Sequence, residues 1–421
     1  MREYTRTADP ATPQAPMMRW AVLGAGAGVA AGSLLAASAS ALAGYFARQV
    51  VLPVRKTEDL AILAVVRGDE GMEVILPATA ETTDPGTYSL YFDVGRGHAR
   101  IGEILSFTPA EGTIARRVEH VYSGNLETAV RGWWSGAVYE TPEDAGFAFE
   151  SVDIPTSVGN APAWVVPGTD RADTWAIMVH GRGAARTEGL RALSTTAELG
   201  ISSLLLSYRN DGVAPSAADQ RYGLGSTEWE DVDAGIDFAL QHGARNVILM
   251  GWSMGGAISL QVADKSRHKR HIQALVLDGP VVNWIDVLRH QAKVNRIPEA
   301  VGRLGQWLLS NRAGRAITGL AAPVDLKELN WIAKADQLRV PTLILHSEDD
   351  DFVPVGPSAQ LAELNPEMVT FERFTLAAHT REWNVDPERW EQTVIRWLSR
   401  IIVAPKPGAG NPGSRGRGPK G

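Results

Sequence analysis

Asn246-Val247-Ile248-Leu249-Met250-Gly251-Trp252-Ser253-Met254-Gly255-Gly256-Ala257-Ile258-Ser259-Leu260 is the stretch that decides the fold. Five mostly apolar residues lead into a Gly-x-Ser-x-Gly turn, and small residues then continue at helical density. The pattern predicts a strand, a sharp turn and a helix, with Ser253 at the apex. Glycines two before and two after the serine let the flanking backbones approach without side-chain clashes. The first turn of the helix leaves N–H groups unpaired, so the Met254 N–H is available to an oxyanion. A single pentapeptide of this type arises by chance in many loops, so its neighbours along the chain carry the argument.

Three further pieces stand in the order that such a turn requires. Upstream, Trp175-Ala176-Ile177-Met178-Val179 ends in His180-Gly181-Arg182-Gly183, and the Arg182 N–H is expected to join Met254 as the oxyanion hole. Downstream, Pro341-Thr342-Leu343-Ile344-Leu345 runs into His346-Ser347-Glu348-Asp349-Asp350-Asp351, which puts a carboxylate directly after a buried strand. Phe374-Thr375-Leu376-Ala377-Ala378 then leads to His379. Serine, acid and histidine thus follow one another in chain order.

These pieces resemble the α/β-hydrolase superfamily, and most nearly its bacterial serine-hydrolase branch of esterases and serine aminopeptidase-like enzymes. The resemblance covers about 147–403. It implies an α/β fold: a mostly parallel eight-stranded sheet covered by helices, with a small helical cap. It places the triad acid three residues before a Val-Pro pair, at Asp350, with Asp349, Asp351 and Asp278 as competing positions. Ser347 and Ala378 stand where such chains often carry glycine, and Tyr208-Arg209-Asn210-Asp211 lacks the glycine that usually follows Tyr-Arg.

The chemistry asks for these residue types on its own account. A serine hydroxyl is a poor nucleophile near neutral pH, so His379 must take its proton during attack and return it to the leaving group. Asp350 would fix the imidazole tautomer and stabilise the imidazolium. The expectation is a serine hydrolase that cleaves an ester, amide or thioester through an acyl-enzyme. A membrane-tethered, non-catalytic hydrolase-like binding domain is the alternative. Nothing in the sequence calls for a cofactor or metal. The acidic run at 348–351 lacks EF-hand spacing, and His268 and His271 lack the spacing of a zinc helix. His180 and His346 end strands and are expected to orient loops.

The rest of the 421-residue chain surrounds this core. A tail at 1–19 precedes an uncharged run, 20–46, long enough to span a bilayer as a single-pass helix and flanked by basic residues on both sides. Its Gly, Ala and Ser content makes it only moderately apolar, and Ala41-Leu42-Ala43 resembles a signal-peptidase site. An anchor is the first expectation, a cleaved signal the second and a buried soluble helix the third. The first two put the catalytic domain outside the cytoplasm, unless the anchor has its N-terminus out.

Residues 57–145 read as a β-rich accessory domain, with alternation in Tyr88-Ser89-Leu90-Tyr91-Phe92. Trp133-Trp134 fits core or inter-domain packing first, and a carbohydrate or lipid contact second. The catalytic domain, 146–403, opens on a hairpin whose turn contains Gly159-Asn160. A helix follows Thr227 and Glu230, read as a capping-box pair. The long connection 278–341 is expected to form the cap. The tail 404–421 is Gly- and Pro-rich with basic residues and is expected to be disordered. A net charge of −7 argues against nucleic-acid partners, and the absence of cysteine excludes disulfides and thiol catalysis.

Overall fold

The computed structural model describes residues 28–69 and 71–403. The expected tails at 1–19 and 404–421, and the first residues of the 20–46 run, lie outside this range.

The first sheet is antiparallel. Its strands are β1 (Leu60–Ala61), β2 (Ala64–Gly68), β3 (Gly71–Pro77), β4 (Tyr88–Phe92), β5 (Gly97–Thr108), β6 (Thr113–Ser123) and β7 (Arg131–Ser135). They lie in the order β1-β7-β4-β5-β6-β3-β2. Val74, Leu76, Leu90, Phe92 and Ile101 are buried in a core of their own. Arg116 is buried with them and donates to the carbonyls of Gly102, Thr82, Asp84 and Gly86, so its charge is satisfied by backbone. Those bonds pin the 82–86 loop to β5 and β6.

The second sheet holds β8 (Glu150–Thr156), β9 (Gly159–Val166), β10 (Arg171–Val179), β11 (Ile201–Leu206), β12 (Asn246–Trp252), β13 (Ile272–Asp278), β14 (Thr342–Ser347) and β15 (Val369–Phe374). Its order is β15-β14-β13-β12-β10-β11-β9-β8, parallel from β15 to β11 and antiparallel at β9 and β8. Helices cover both faces, so β11 and β14 are buried at every position and β13 at all but one, and each carries a short apolar run. After β11 the chain returns to the other side of β10. Ligands of open α/β sheets bind beyond the carboxyl ends of strands at such a reversal.

Three local expectations are corrected. Thr156 pairs with Gly159, so the β8–β9 turn closes on Ser157-Val158, and Gly159-Asn160 belongs to β9. Thr227 and Glu230 form no capping box: the helix Trp229–Gln241 begins after Glu228. The buried Glu228 carboxylate instead collects the N–H groups of Gly223 and Gly225, while Glu230 pairs with Arg209. Two acids near one helix start competed for the same role, and the one with the larger supply of loop N–H groups took it.

The cap consists of the helices Trp284–Val294, Glu299–Ser310 and Arg315–Thr318. The N-terminal helix, Gly28–Val51, packs along the last two of these. Ala43, Ala47 and Val51 are buried there, and a Cβ on Gly44 would come within 2.9 Å of Ile317. Small residues here serve close helix-to-helix approach. Among the described residues no helix is long and apolar enough to cross a membrane.

Candidate active site

Ser253 links β12 to the helix Met254–Lys265 with φ 53° and ψ −115°, a conformation that L side chains rarely adopt. Neighbouring glycines make the turn possible. A Cβ on Gly255 would lie 1.9 Å from Val179 O, and one on Gly251 would lie 2.5 Å from Gly255 O. The strained residue is held from both sides, since its N–H donates to Asp278 O (3.0 Å) and its carbonyl accepts from Val281 N–H (3.1 Å).

The Ser253 hydroxyl donates to His379 Nε2 at 2.7 Å, and His379 Nδ1 donates to Asp350 Oδ2 at 2.7 Å. Asp350 is 8% exposed and almost fully coordinated. Its Oδ1 accepts from the N–H groups of Phe352 (2.9 Å) and Val353 (2.8 Å), and its Oδ2 also accepts from His346 Nε2 (3.0 Å). Burial alone would raise its pKa. The His379 charge and the hydrogen bonds from His346 and His379 outweigh that and hold the carboxyl well below the usual range.

The competing acids stand elsewhere. Asp349 accepts from Leu376 N–H at 2.7 Å, which secures the loop leading to His379. Asp278 accepts from Trp390 Nε1 at 2.7 Å. Beside it, burial and the Asp278 charge push the Glu382 carboxyl well above its ordinary value. Asp351 turns into a neighbouring cavity.

His346 was expected only to orient a loop, yet it is a second imidazole on the Asp350 carboxylate. Its Nδ1 accepts from Ser358 Oγ at 2.9 Å, so its N–H points at the acid. The signal was present as a spacing of four residues after a buried strand, but any strand-ending histidine looks alike in sequence. Arg191 was missed altogether. Its buried guanidinium donates to Thr380 O and Asn384 Oδ1, both at 2.8 Å, and so clamps the backbone that carries His379.

The segment His180–Gly183 lies against the serine: a Cβ on Gly181 would be 3.2 Å from Ser253 Cβ. Gly181 N–H donates to Glu188 Oε2 (2.7 Å), Tyr208 Oη donates to His180 O (2.8 Å), and the His180 ring stacks on Tyr208. Neither the Arg182 nor the Met254 N–H donates to another group among the described residues. The Arg182 guanidinium turns the other way, to Leu52 O (2.9 Å) and Gln49 O at the end of the N-terminal helix. There it satisfies carbonyls that a helix end leaves unpaired.

Two cavities meet at Ser253, His379, Arg182 and Phe352. One, of about 380 Å³, lies under the cap and is walled by apolar side chains of the cap and N-terminal helices. The other, of about 510 Å³, lies between the two sheets and carries charged and aromatic side chains. Among the described residues no group of three or more His, Asp or Glu could hold a metal ion.

The sequence matches the model of the alpha/beta hydrolase family over residues 176–392, about half of the chain, and that of a domain of unknown function (DUF8805) over residues 61–135. No curated protein matches it. Among solved structures it is similar to an esterase from Pyrococcus furiosus, at 19% identity and TM-score 0.49, covering 63% of this chain and 95% of that one. It is also similar to an esterase from Rhodococcus sp., at 17% identity and TM-score 0.42, covering 60% of this chain and 99% of that one. A third is an esterase from Exiguobacterium antarcticum, at 18% identity and TM-score 0.43, covering 59% of this chain and 100% of that one.

Proposed function

The chain belongs to the alpha/beta hydrolase family, and from that premise we propose that this hydrolase cleaves carboxylic esters through a covalent acyl-enzyme on Ser253. The observation that carries the reading is the unbroken hydrogen-bond chain Ser253–His379–Asp350 at the mouth of an apolar cavity. As Ser253 Oγ attacks the ester carbonyl, its proton passes to His379 Nε2, and the imidazolium formed is stabilised by the ionised Asp350. The oxyanion is received by the N–H groups of Met254 and Arg182. Collapse of the tetrahedral intermediate breaks the ester C–O bond, and His379 returns its proton to the departing alcohol. Water then attacks the acyl-serine by the same path and releases the acid.

Esters are favoured over peptides by the apolar wall beside the serine. An aminopeptidase needs carboxylates left free for an N-terminal ammonium, whereas Glu81, Asp84 and Asp351 share their cavity with Lys56 and Arg381. The stretch ahead of Ala39 is proposed as the membrane tether that holds the catalytic domain outside the cytoplasm, since the uncharged run begins at Trp20, is long enough to span a bilayer and is followed by basic residues from Arg48. Rapid mixing with a nitrophenyl ester tests the acyl-enzyme. A burst of nitrophenol of about one equivalent, followed by slower turnover and abolished in Ser253→Ala, is expected. Unchanged hydrolysis by Ser253→Ala would sink the reading.

A further inference from the structure

Ser253 stands at the junction of two cavities of opposite character, and each has walls from a different part of the chain. The apolar one is lined by Phe46 and Val50 of the N-terminal helix and by Val287, Leu288, Val301 and Leu309 of the cap. Its volume of about 380 Å³ holds on the order of ten methylene-sized groups, at the roughly 30 Å³ that a water occupies in the liquid. Hydrocarbon is the ligand that gains from such a wall.

The second cavity is walled on one side by the catalytic domain and on the other by the seven-stranded sheet. Lys56, Glu81, Asp84, Asp351 and Arg381 face it, and no hydrogen bond or ion pair within the described residues satisfies their side chains. Trp133 and Trp134, which point to opposite faces of β7, add aromatic lining. They stack on Tyr91 and Tyr88 with ring centroids 5.1 Å and 5.2 Å apart, and Trp134 Nε1 is buried without a partner. Three carboxylates beside two cations disfavour both a phosphate and a simple ammonium, because each would meet like charge at close range. A neutral group rich in hydroxyls suits them, since hydroxyls donate to the carboxylates and accept from Lys56 and Arg381, while the aromatic lining accepts its C–H faces.

Resting on the ester-hydrolase reading of Ser253, we propose that the substrate is an amphiphile: a medium-chain acyl ester of a polyol, either glycerol or a sugar. The acyl chain lies under the cap, and the polyol lies in the cavity that the seven-stranded sheet completes. This gives the sheet a role in choosing the alcohol. It also places the departing alcohol oxygen on the side of His379 that opens to the polar cavity, where the proton it needs is delivered.

The test uses the full-length chain with three decanoyl esters, on glycerol, on a sugar and on nitrophenol, together with nitrophenyl acetate. Wild type is expected to prefer one of the two polyol esters over the nitrophenyl ester in kcat/KM, and which one identifies the alcohol. Trp133→Ala and Lys56→Ala should each lower that preference ratio by about tenfold, the size of one lost hydrogen bond or stacking contact. Gly302→Leu, which adds bulk beside Ala292 on the wall of the apolar cavity, should lower the ratio of decanoyl to acetyl hydrolysis by about tenfold through loss of buried chain. Equal losses on all esters, or a preference for an ammonium-bearing alcohol or for a long-chain alcohol joined to a polar acid, would overturn the assignment. Nitrophenyl acetate keeps the two readings apart: if Ser253→Ala hydrolyses it like wild type, the serine reading itself has failed, and otherwise the loss falls on the subsites alone.

Discussion

Ser253 and Asp84 show how far single residues depend on their surroundings. The strained serine was legible in sequence, because glycines two residues either side have few other uses between a strand and a helix. Asp350 was legible only as one of four carboxylates, since sequence gives spacing but not direction, and a difference of one residue turns a side chain into another cavity. Asp84 carried no signal at all. In the folded chain burial raises its carboxyl from the ordinary 3.8 to about 6, helped by the Asp351 charge and opposed by Arg381. Between those two values the folded state keeps a proton that the unfolded chain has released, so raising the pH through this window favours unfolding. Stability is therefore expected to carry a component that declines from about pH 4 to pH 6 and is missing in Asp84→Asn. Denaturant midpoints across that range measure it, and an identical slope in the variant would show that Asp84 is not the group responsible.

At the scale of elements, the parallel strands announced themselves because strands covered on both faces carry apolar runs rather than alternation. Helix starts and turns were read less well. The capping box failed at Thr227 because Glu228 found more loop N–H groups, and the hairpin turn moved two residues because Gly159, already in β9, pairs with Thr156 of β8. The uncharged run 20–46 is the clearest case of one composition that suits two uses. Alanine and glycine suit close helix packing as well as a weakly apolar span, and from Ala39 onward the helix packs on the cap beside the substrate cavity. Deleting residues 1–38 should release the protein from carbonate-washed membranes while leaving ester hydrolysis intact, because the described helix residues that line the cavity, Phe46, Ala47, Gln49 and Val50, lie beyond that point. Continued membrane retention of the truncated chain would contradict the proposed tether.

The whole molecule places one serine where three bodies meet: the eight-stranded sheet with its helices, the cap joined by the N-terminal helix, and the seven-stranded sheet. Arg182 ties the first two together, with its backbone beside the serine and its side chain on the end of the N-terminal helix. Asn384 ties the first and third, donating to Thr87 O and Gly136 O. None of these ties was readable in sequence, where the partners stand more than a hundred positions apart and no motif marks them. The catalytic body was readable because its chemistry restricts residue types at fixed positions. The seven-stranded sheet was readable as a β-rich domain but its role was not, because antiparallel alternation fixes a fold without naming a ligand. The central claim is an activated nucleophile at Ser253, and intact mass after exposure to a fluorophosphonate tests it most directly. A single adduct on the full-length chain is expected, absent in Ser253→Ala and formed much more slowly in His379→Ala and Asp350→Asn. A folded protein that takes up no adduct, or one labelled equally without Ser253, would contradict the account.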